Sequence, residues 1–221
     1  MTQPLVKICG TTSPDDARLA QSAGADLIGI MVEYQPSPRS VSIERAQDIA
    51  RATKVQVVAL CVNKSYDELI QVQETLYPHA LQLHGDETPE LVAALKAEGL
   101  TIWTACHTPE RAQAMHEVGA DALLFDARVQ SATGTVYGGT GQRSDWLLAR
   151  AWVERGARVI LAGGLNPENV TEAIHTVQPW AVDVVSGVEA RKGVKDSAKV
   201  RAFVNAAKAD STLQSIVPTR P

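Results

Sequence analysis

Two patterns alternate along the whole chain: a short, almost wholly apolar run, then a polar loop, then an amphipathic segment of 10 to 14 residues that ends at glycine or a turn. The apolar runs cover 5–8, 26–32, 56–62, 80–84, 101–106, 122–126, 158–162 and 181–186. They lack the clean polar/apolar alternation of a strand with one wet face, so each is expected to be covered on both faces, as in a parallel sheet. Apolar positions three and four apart between these runs predict helices over 13–23, 43–53, 65–77, 88–98, 109–118, 144–155, 167–177 and 196–208. Asp15 and Asp16 stand in the first turn of the first helix, where its dipole favours them. No unit reads as a β-hairpin or a long excursion, so eight βα units in succession predict a single α/β domain over 1–208, a closed (β/α)8 TIM barrel. Residues 209–221 have no periodicity and read as a flexible tail.

Helix exits repeat as well. Ala23-Gly24-Ala25-Asp26 resembles Val118-Gly119-Ala120-Asp121, with Arg155-Gly156-Ala157-Arg158 a looser copy, and glycine there supplies a left-handed closing residue. At 45% hydrophobic and 21% charged residues, the composition is that of an ordinary globular protein. A net charge of −4 argues against a nucleic-acid partner held by phosphate contacts, while leaving room for a local pocket for one small anion. The three cysteines Cys9, Cys61 and Cys106 are widely spaced, which predicts neither a disulfide framework nor a zinc ribbon. No apolar run approaches the roughly 18 residues of a membrane span, so no membrane partner and a cytoplasmic location are expected.

In a parallel barrel, chemistry belongs at the carboxyl ends of the strands. Those positions hold Cys9-Gly10, Ser37-Pro38-Arg39, Asn63, His84-Gly85, His107, Asp126, Gly163-Gly164 and Ser186-Gly187. The last two glycine features, with Gly138-Gly139-Thr140-Gly141-Gln142 before them, suit an anion pocket of backbone amides. Neither a dinucleotide fingerprint nor a P-loop is present. Cys9 reads either as a small buried strand residue or as a reactive thiol. Asp126 closes the apolar run Ala122-Leu123-Leu124-Phe125, where a carboxylate has no packing value, and reads as a loop cap or as an acid. Facing each other across the mouth, the two would form a general base and general acid. Arg39 has the planar fork of a carboxylate clamp, and His84, His107 and Asp183 are further candidates. The five histidines are scattered and no helix pairs His with Glu, so no metal is expected. Trp146, Leu147, Leu148 and Trp152 read as packing, and Lys195, Asp196 and Lys199 as a solvated face.

Taken together, KICGTT at 7–12, SPRSVS at 37–42, QLHGDE at 82–87, GGTGQRSDW at 138–146, LAGGLNPENV at 161–170 and VDVVSGVEARKGVKD at 182–196 resemble the phosphoribosylanthranilate isomerases of tryptophan biosynthesis. The resemblance implies an isomerase that carries out an Amadori rearrangement of a small phosphosugar substrate. It implies Asp126 as the acid that opens the furanose ring and Cys9 as the base at the sugar C2. It further implies Arg39 on the anthranilate carboxylate, Asp183 on a sugar hydroxyl, and amides near Gly141, Gly164, Ser186 and Gly187 on the phosphate; His84 and Gly163, from their strand-end positions, join the candidates for substrate binding. No cofactor is implied, because the protonated imine is its own electron sink, and a monomer or homodimer is expected. Ile30-Met31-Val32-Glu33, Leu60-Cys61-Val62-Asn63, Ser144 and Val185 depart from the family pattern by lacking aromatic residues or a serine, which predicts weaker packing on the aminobenzoate ring. The alternatives are a divergent paralogue acting on another phosphoribosyl amine and a non-catalytic phosphosugar-binding barrel.

Overall fold

A computed structural model describes residues 3–126, 129–131, 134–136 and 145–209. Eight parallel strands form its ring: Leu5–Ile8, Leu27–Val32, Gln56–Cys61, Ala80–Leu83, Ile102–Cys106, Ala122–Phe125, Val159–Leu161 and Ala181–Val184. The first strand pairs with the eighth (Lys7 opposite Asp183) and with the second (Lys7 opposite Leu27), so the sheet closes on itself. Eight helices alternate with the strands: Pro14–Ala23, Ile43–Arg51, Tyr66–Leu76, Pro89–Ala97, Pro109–Glu117, Trp146–Glu154, Val170–Val177 and Ser197–Lys208. The expected barrel is therefore present.

Local sequence explains where the helices begin. Ser13, Thr88 and Thr108 each accept a backbone N–H and are each followed by proline, which has no N–H to leave unpaired in the first turn. Ser65 and Glu68 form a reciprocal capping box. Gly24, at φ 88°, closes the first helix in the left-handed region. The aspartate of the repeated Gly-Ala-Asp motif has a use that the repeat alone did not reveal. Asp26 Oδ2 accepts from Val6 N at 2.8 Å and Asp121 Oδ2 from Ile102 N at 2.7 Å, so each ties the start of its own strand to the strand before it. Lys208 and Lys96 neutralise the two carboxylates, at 2.9 and 2.6 Å.

Two antiparallel ribbons correct the expectation of no hairpin: Val129–Ser131 with Gly134–Val136 after the sixth strand, and Glu189–Arg191 with Val194–Lys195 after the eighth. Both sit at the carboxyl end of the barrel, inside βα loops too short and polar to announce themselves as strands. Gly141, Ser144 and the expected tail beyond residue 209 lie outside the described residues.

Side-chain alternation divides the interior in two. Residues of one parity, such as Val6, Ile8, Ile28, Ile30, Cys61, Phe125 and Val182, pack outward against the helices. Residues of the other parity, including Leu27, Val58, Ala80, Trp103, Ala122, Ile160 and Ala181, fill the barrel itself. Trp103 is the large member of that inner group, edge-on to Trp180 at 5.6 Å and to His79 at 6.1 Å. Among the helix residues Trp152 is buried as expected, whereas Leu147 is 78% exposed and does not pack.

Candidate active site

Along the inward parity the barrel changes character from bottom to top. The first strand passes from Leu5 to Lys7 to Cys9, the fourth from Ala80 to Gln82 to His84, the sixth from Ala122 and Leu124 to Asp126, and the eighth from Ala181 to Asp183. Polar side chains thus accumulate toward the carboxyl end.

Lys7 is wholly buried. Its Nζ donates to Gln82 Oε1 at 2.8 Å and to Asp183 Oδ1 at 3.1 Å, and it shares the gap at Gly29 with Cys9 Sγ. An ammonium can only donate, so Gln82 turns its oxygen to Lys7 and its Nε2 toward His84 Nδ1, 3.0 Å away. The His84 hydrogen then rests on Nε2, which faces Asp126 Oδ2 at 3.5 Å. His107 Nδ1 lies 3.4 Å from the Asp126 carbonyl. One polar chain therefore runs from Cys9 through Lys7, Gln82 and His84 to Asp126. The thiol and carboxylate expected to act together are joined across the mouth, around the ring from each other by way of the seventh and eighth strands.

Gly29 makes the approach possible. A Cβ there would lie 2.5 Å from Cys9 Sγ and 3.0 Å from Lys7 Nζ. Burial, reinforced by the Asp183 charge, pushes the Cys9 thiol up, and Lys7 and Lys195 only partly oppose this, so the neutral thiol is favoured. Burial also raises the Asp183 carboxyl against the pull of Lys7. Lys7 itself stays charged: burial lowers it, but Asp183 and Cys9 more than compensate.

Beside Cys9 is a second charged group. Arg39 Nε and Nη2 donate to the two oxygens of Glu189, both at 2.8 Å. The fork expected to meet a substrate carboxylate is thus engaged by Glu189 over two of its nitrogens. Lys195 Nζ donates to the Cys9 carbonyl at 2.5 Å and to the Val185 carbonyl at 3.3 Å, and lies 3.6 Å from Glu189. Its expected place on a solvated face is wrong: the Glu189–Arg191 and Val194–Lys195 ribbon folds it inward over the first and eighth strands. Burial works to raise the Glu189 carboxyl, but the Arg39 hydrogen bonds, Lys195 and the Gly193 amide outweigh it and hold it low. Stability from this cluster is therefore full above the ordinary carboxylate range and lost as pH falls through the depressed value. We expect Glu189→Gln to cost about 1–3 kcal/mol at pH 7 and to flatten the loss of stability on acidification. Urea unfolding of both proteins at pH 7 and near pH 4 checks this, and parallel pH profiles would refute it.

The glycine loops line a small recess together with Asp126, Leu165, Asp183 and Ser186. Gly163 and Gly164 are consecutive left-handed residues at φ 83° and 65°, a turn that side chains resist. Asn169 Nδ2 holds the Gly164 carbonyl at 2.9 Å. A Cβ on Gly187 would collide with the Leu165 carbonyl, so the loops after the seventh and eighth strands meet only because residue 187 has no side chain.

Apolar contacts complete the mouth: Cys9, Met31, Leu60 and Val62, with Tyr34 and Val185 packed against them. Ile30 and Cys61, whose lack of aromatic area was expected to matter, face outward into the helix layer instead. Tyr34, four residues later, supplies an aromatic ring at the mouth. Sequence reading missed Lys7, Gln82, Tyr34, Glu189 and Lys195. The signal for the first two was available, since each interrupts an apolar run on the parity that leads to Cys9 or His84. Asn63 serves the scaffold: its Oδ1 accepts from Asp86 N, and Glu87 holds the amides of Asn63 and Gly85.

Comparison with known proteins gives a consistent result. Residues 6–206 match the family model described as N-(5'-phosphoribosyl)anthranilate (PRA) isomerase. Relatives of that name include a Trichlorobacter lovleyi protein, 41% identical over 205 residues (92% of this chain, 97% of the relative). A Pseudomonas aeruginosa relative is 44% identical over 206 residues (91% and 93%). The solved phosphoribosyl anthranilate isomerase of Thermotoga maritima superposes with a TM-score of 0.81 at 35% identity, covering 93% of this chain and 98% of that one. Another structure of such an enzyme, at TM-score 0.78 and 34% identity over 93% and 98% of the chains, holds reduced 1-(o-carboxyphenylamino)-1-deoxyribulose 5-phosphate. Alike in sequence and fold over nearly its whole length, the chain belongs to the N-(5'-phosphoribosyl)anthranilate isomerase family.

Proposed function

We propose that the protein isomerises N-(5-phosphoribosyl)anthranilate to 1-(2-carboxyphenylamino)-1-deoxyribulose 5-phosphate, an Amadori rearrangement of tryptophan biosynthesis carried out in the cytoplasm. The observation that carries this reading is the placement of Cys9 and Asp126 at the two ends of one polar chain, beside the glycine-lined recess. Among the described residues no helix is long and apolar enough to cross a membrane.

In this reading the phosphate occupies the recess, held by amides near Gly163, Gly164, Ser186 and Gly187. Gly141, assigned to the same role, lies outside the described residues. Asp126, as the acid, gives its proton to the furanose oxygen; the C1–O bond breaks and its electrons go to that oxygen, leaving a protonated imine. Cys9, as the thiolate, then takes the proton from C2, and the C–H electrons move into the imine to give an enolamine that tautomerises to the ketone. Asp183 holds a sugar hydroxyl, His84 orients Asp126 toward the ring oxygen, and Arg39 meets the carboxylate. The aminobenzoate ring lies on Met31, Leu60, Val62 and Tyr34. Monomer and homodimer both fit this site, which is built within one chain; a Thermotoga maritima relative is described as a dimeric enzyme from which monomers were generated.

The test is to mix purified protein with enzymatically made phosphoribosylanthranilate and follow loss of the substrate's fluorescence. Turnover is expected, and none above spontaneous decay would overturn the reading.

A further inference from the structure

Lys7 has no place in the mechanism above, yet its geometry at Cys9 is specific. It lies two residues before the thiol on the same inward face, is 0% exposed, donates to Gln82 of the fourth strand and Asp183 of the eighth, and shares with Cys9 Sγ the gap that Gly29 leaves. Asp183 and Gln82 hold the ammonium from two sides, and Gly29 leaves the gap through which it reaches Sγ. A buried lysine is costly to desolvate, and a hydrophobic plug of similar volume would serve a merely structural barrel layer as well. What a plug does not offer is a positive charge against Sγ.

We propose that Lys7 is the positioning residue for the general base: its ammonium fixes Cys9 Sγ at the mouth and is the counter-charge of the thiolate. This rests on the isomerase reading for its role in turnover, but not for its effect on Cys9. The S–H bond of Cys9 breaks with loss of the proton to solvent, the sulfur keeps the electron pair, and Lys7 remains protonated throughout. The other charges that bear on Cys9 are known. Asp183 on the eighth strand opposes ionisation; Lys195 on the second ribbon, bonded to the Cys9 carbonyl, favours it; Arg39, after the second strand, is coupled to it and already paired with Glu189. Asp126 and His84 act one step further away, through Asp183. Lys7 is the cation that shares the gap at Gly29 with the sulfur.

Lys7→Met and Asp183→Asn break the same ion pair, so a purely structural role for Lys7 predicts that they disturb the site alike. The electrostatic role predicts opposite signs. Thiolate absorbance near 240 nm, titrated without substrate and differenced against Cys9→Ala, reads Cys9 directly, because the difference cancels Cys61 and Cys106, which burial pushes up to about 12 and about 11. We expect Lys7→Met to move Cys9 ionisation up by at least about one pH unit and Asp183→Asn to move it down. The rising limb of the kcat–pH profile should shift upward in Lys7→Met by a similar interval. No upward shift in Lys7→Met, or shifts of the same sign in the two variants, would overturn the proposal. If Lys7→Met does not fold, Asp183→Asn alone decides, since an unmoved or raised Cys9 with Lys7 in place contradicts it. Failure of the isomerase reading shows instead as absent turnover in the unmodified protein, with the absorbance titration unaffected.

Discussion

Asp126→Asn is expected to lower kcat by about 10³-fold, and Cys9→Ala by at least as much, with the fold intact. Asparagine keeps the shape and the place opposite His84 Nε2 but has no proton of useful acidity, so ring opening loses its acid. Alanine at residue 9 removes the base. KM in Asp126→Asn should stay within about threefold, because binding of the phosphate and ring involves other groups. The two effects should not multiply: the double variant should be about as slow as the worse single one, as for residues that act in one sequence of proton transfers. Fluorescence decay of the substrate, followed from below to above saturation, provides the three kcat values and the KM. A loss of less than tenfold in Asp126→Asn would remove it from the role of acid.

The second large effect concerns stability. Trp103→Ala should cost about 3–5 kcal/mol, a fall in Tm of about 10 °C for a chain of this size. The indole occupies the inner layer near the amino end of the barrel, against Trp180 and His79. The ring of strands around it is closed by hydrogen bonds and has little freedom to collapse into the space. Because that layer lies away from the mouth, turnover at low temperature should change by less than about twofold, in keeping with the division of a barrel into a stability face and an active face. Thermal unfolding and kcat measured on the same preparation test both halves. A cost below 1 kcal/mol would mean that the barrel floor repacks freely.

Much of this was legible before any coordinates. Each strand-end residue is identified by the apolar run that precedes it, so Cys9, His84, Asp126 and Ser186 stand out one after another. Helix starts such as Ser13-Pro14 and Thr88-Pro89 are equally local, because a cap and its amide lie within three residues. The errors have a shared cause. Lys195 was assigned to a solvated face because helical neighbours such as Asp196 and Lys199 are charged, but a two-residue strand turns it inward onto the Cys9 carbonyl, 186 residues away in the chain. Ile30 and Cys61 belong to stretches whose missing aromatic area predicts weaker ring packing; the parity of the strand sends these two into the helix layer, while Met31, Leu60 and Tyr34 face the mouth.

By itself, the sequence determined the barrel, the end of it at which chemistry is placed, and the residue types available there, because periodicity, caps and turn glycines act over a few residues. Only the tertiary structure decided how those groups are coupled. Lys7 joins Cys9 to Gln82 and Asp183, and Glu189 takes two of the nitrogens of Arg39, through contacts spanning 75 to 176 residues. No local pattern encodes such pairings. They arise when the first strand pairs with the eighth and the ring closes, which brings side chains of one parity from distant strands into the same layer.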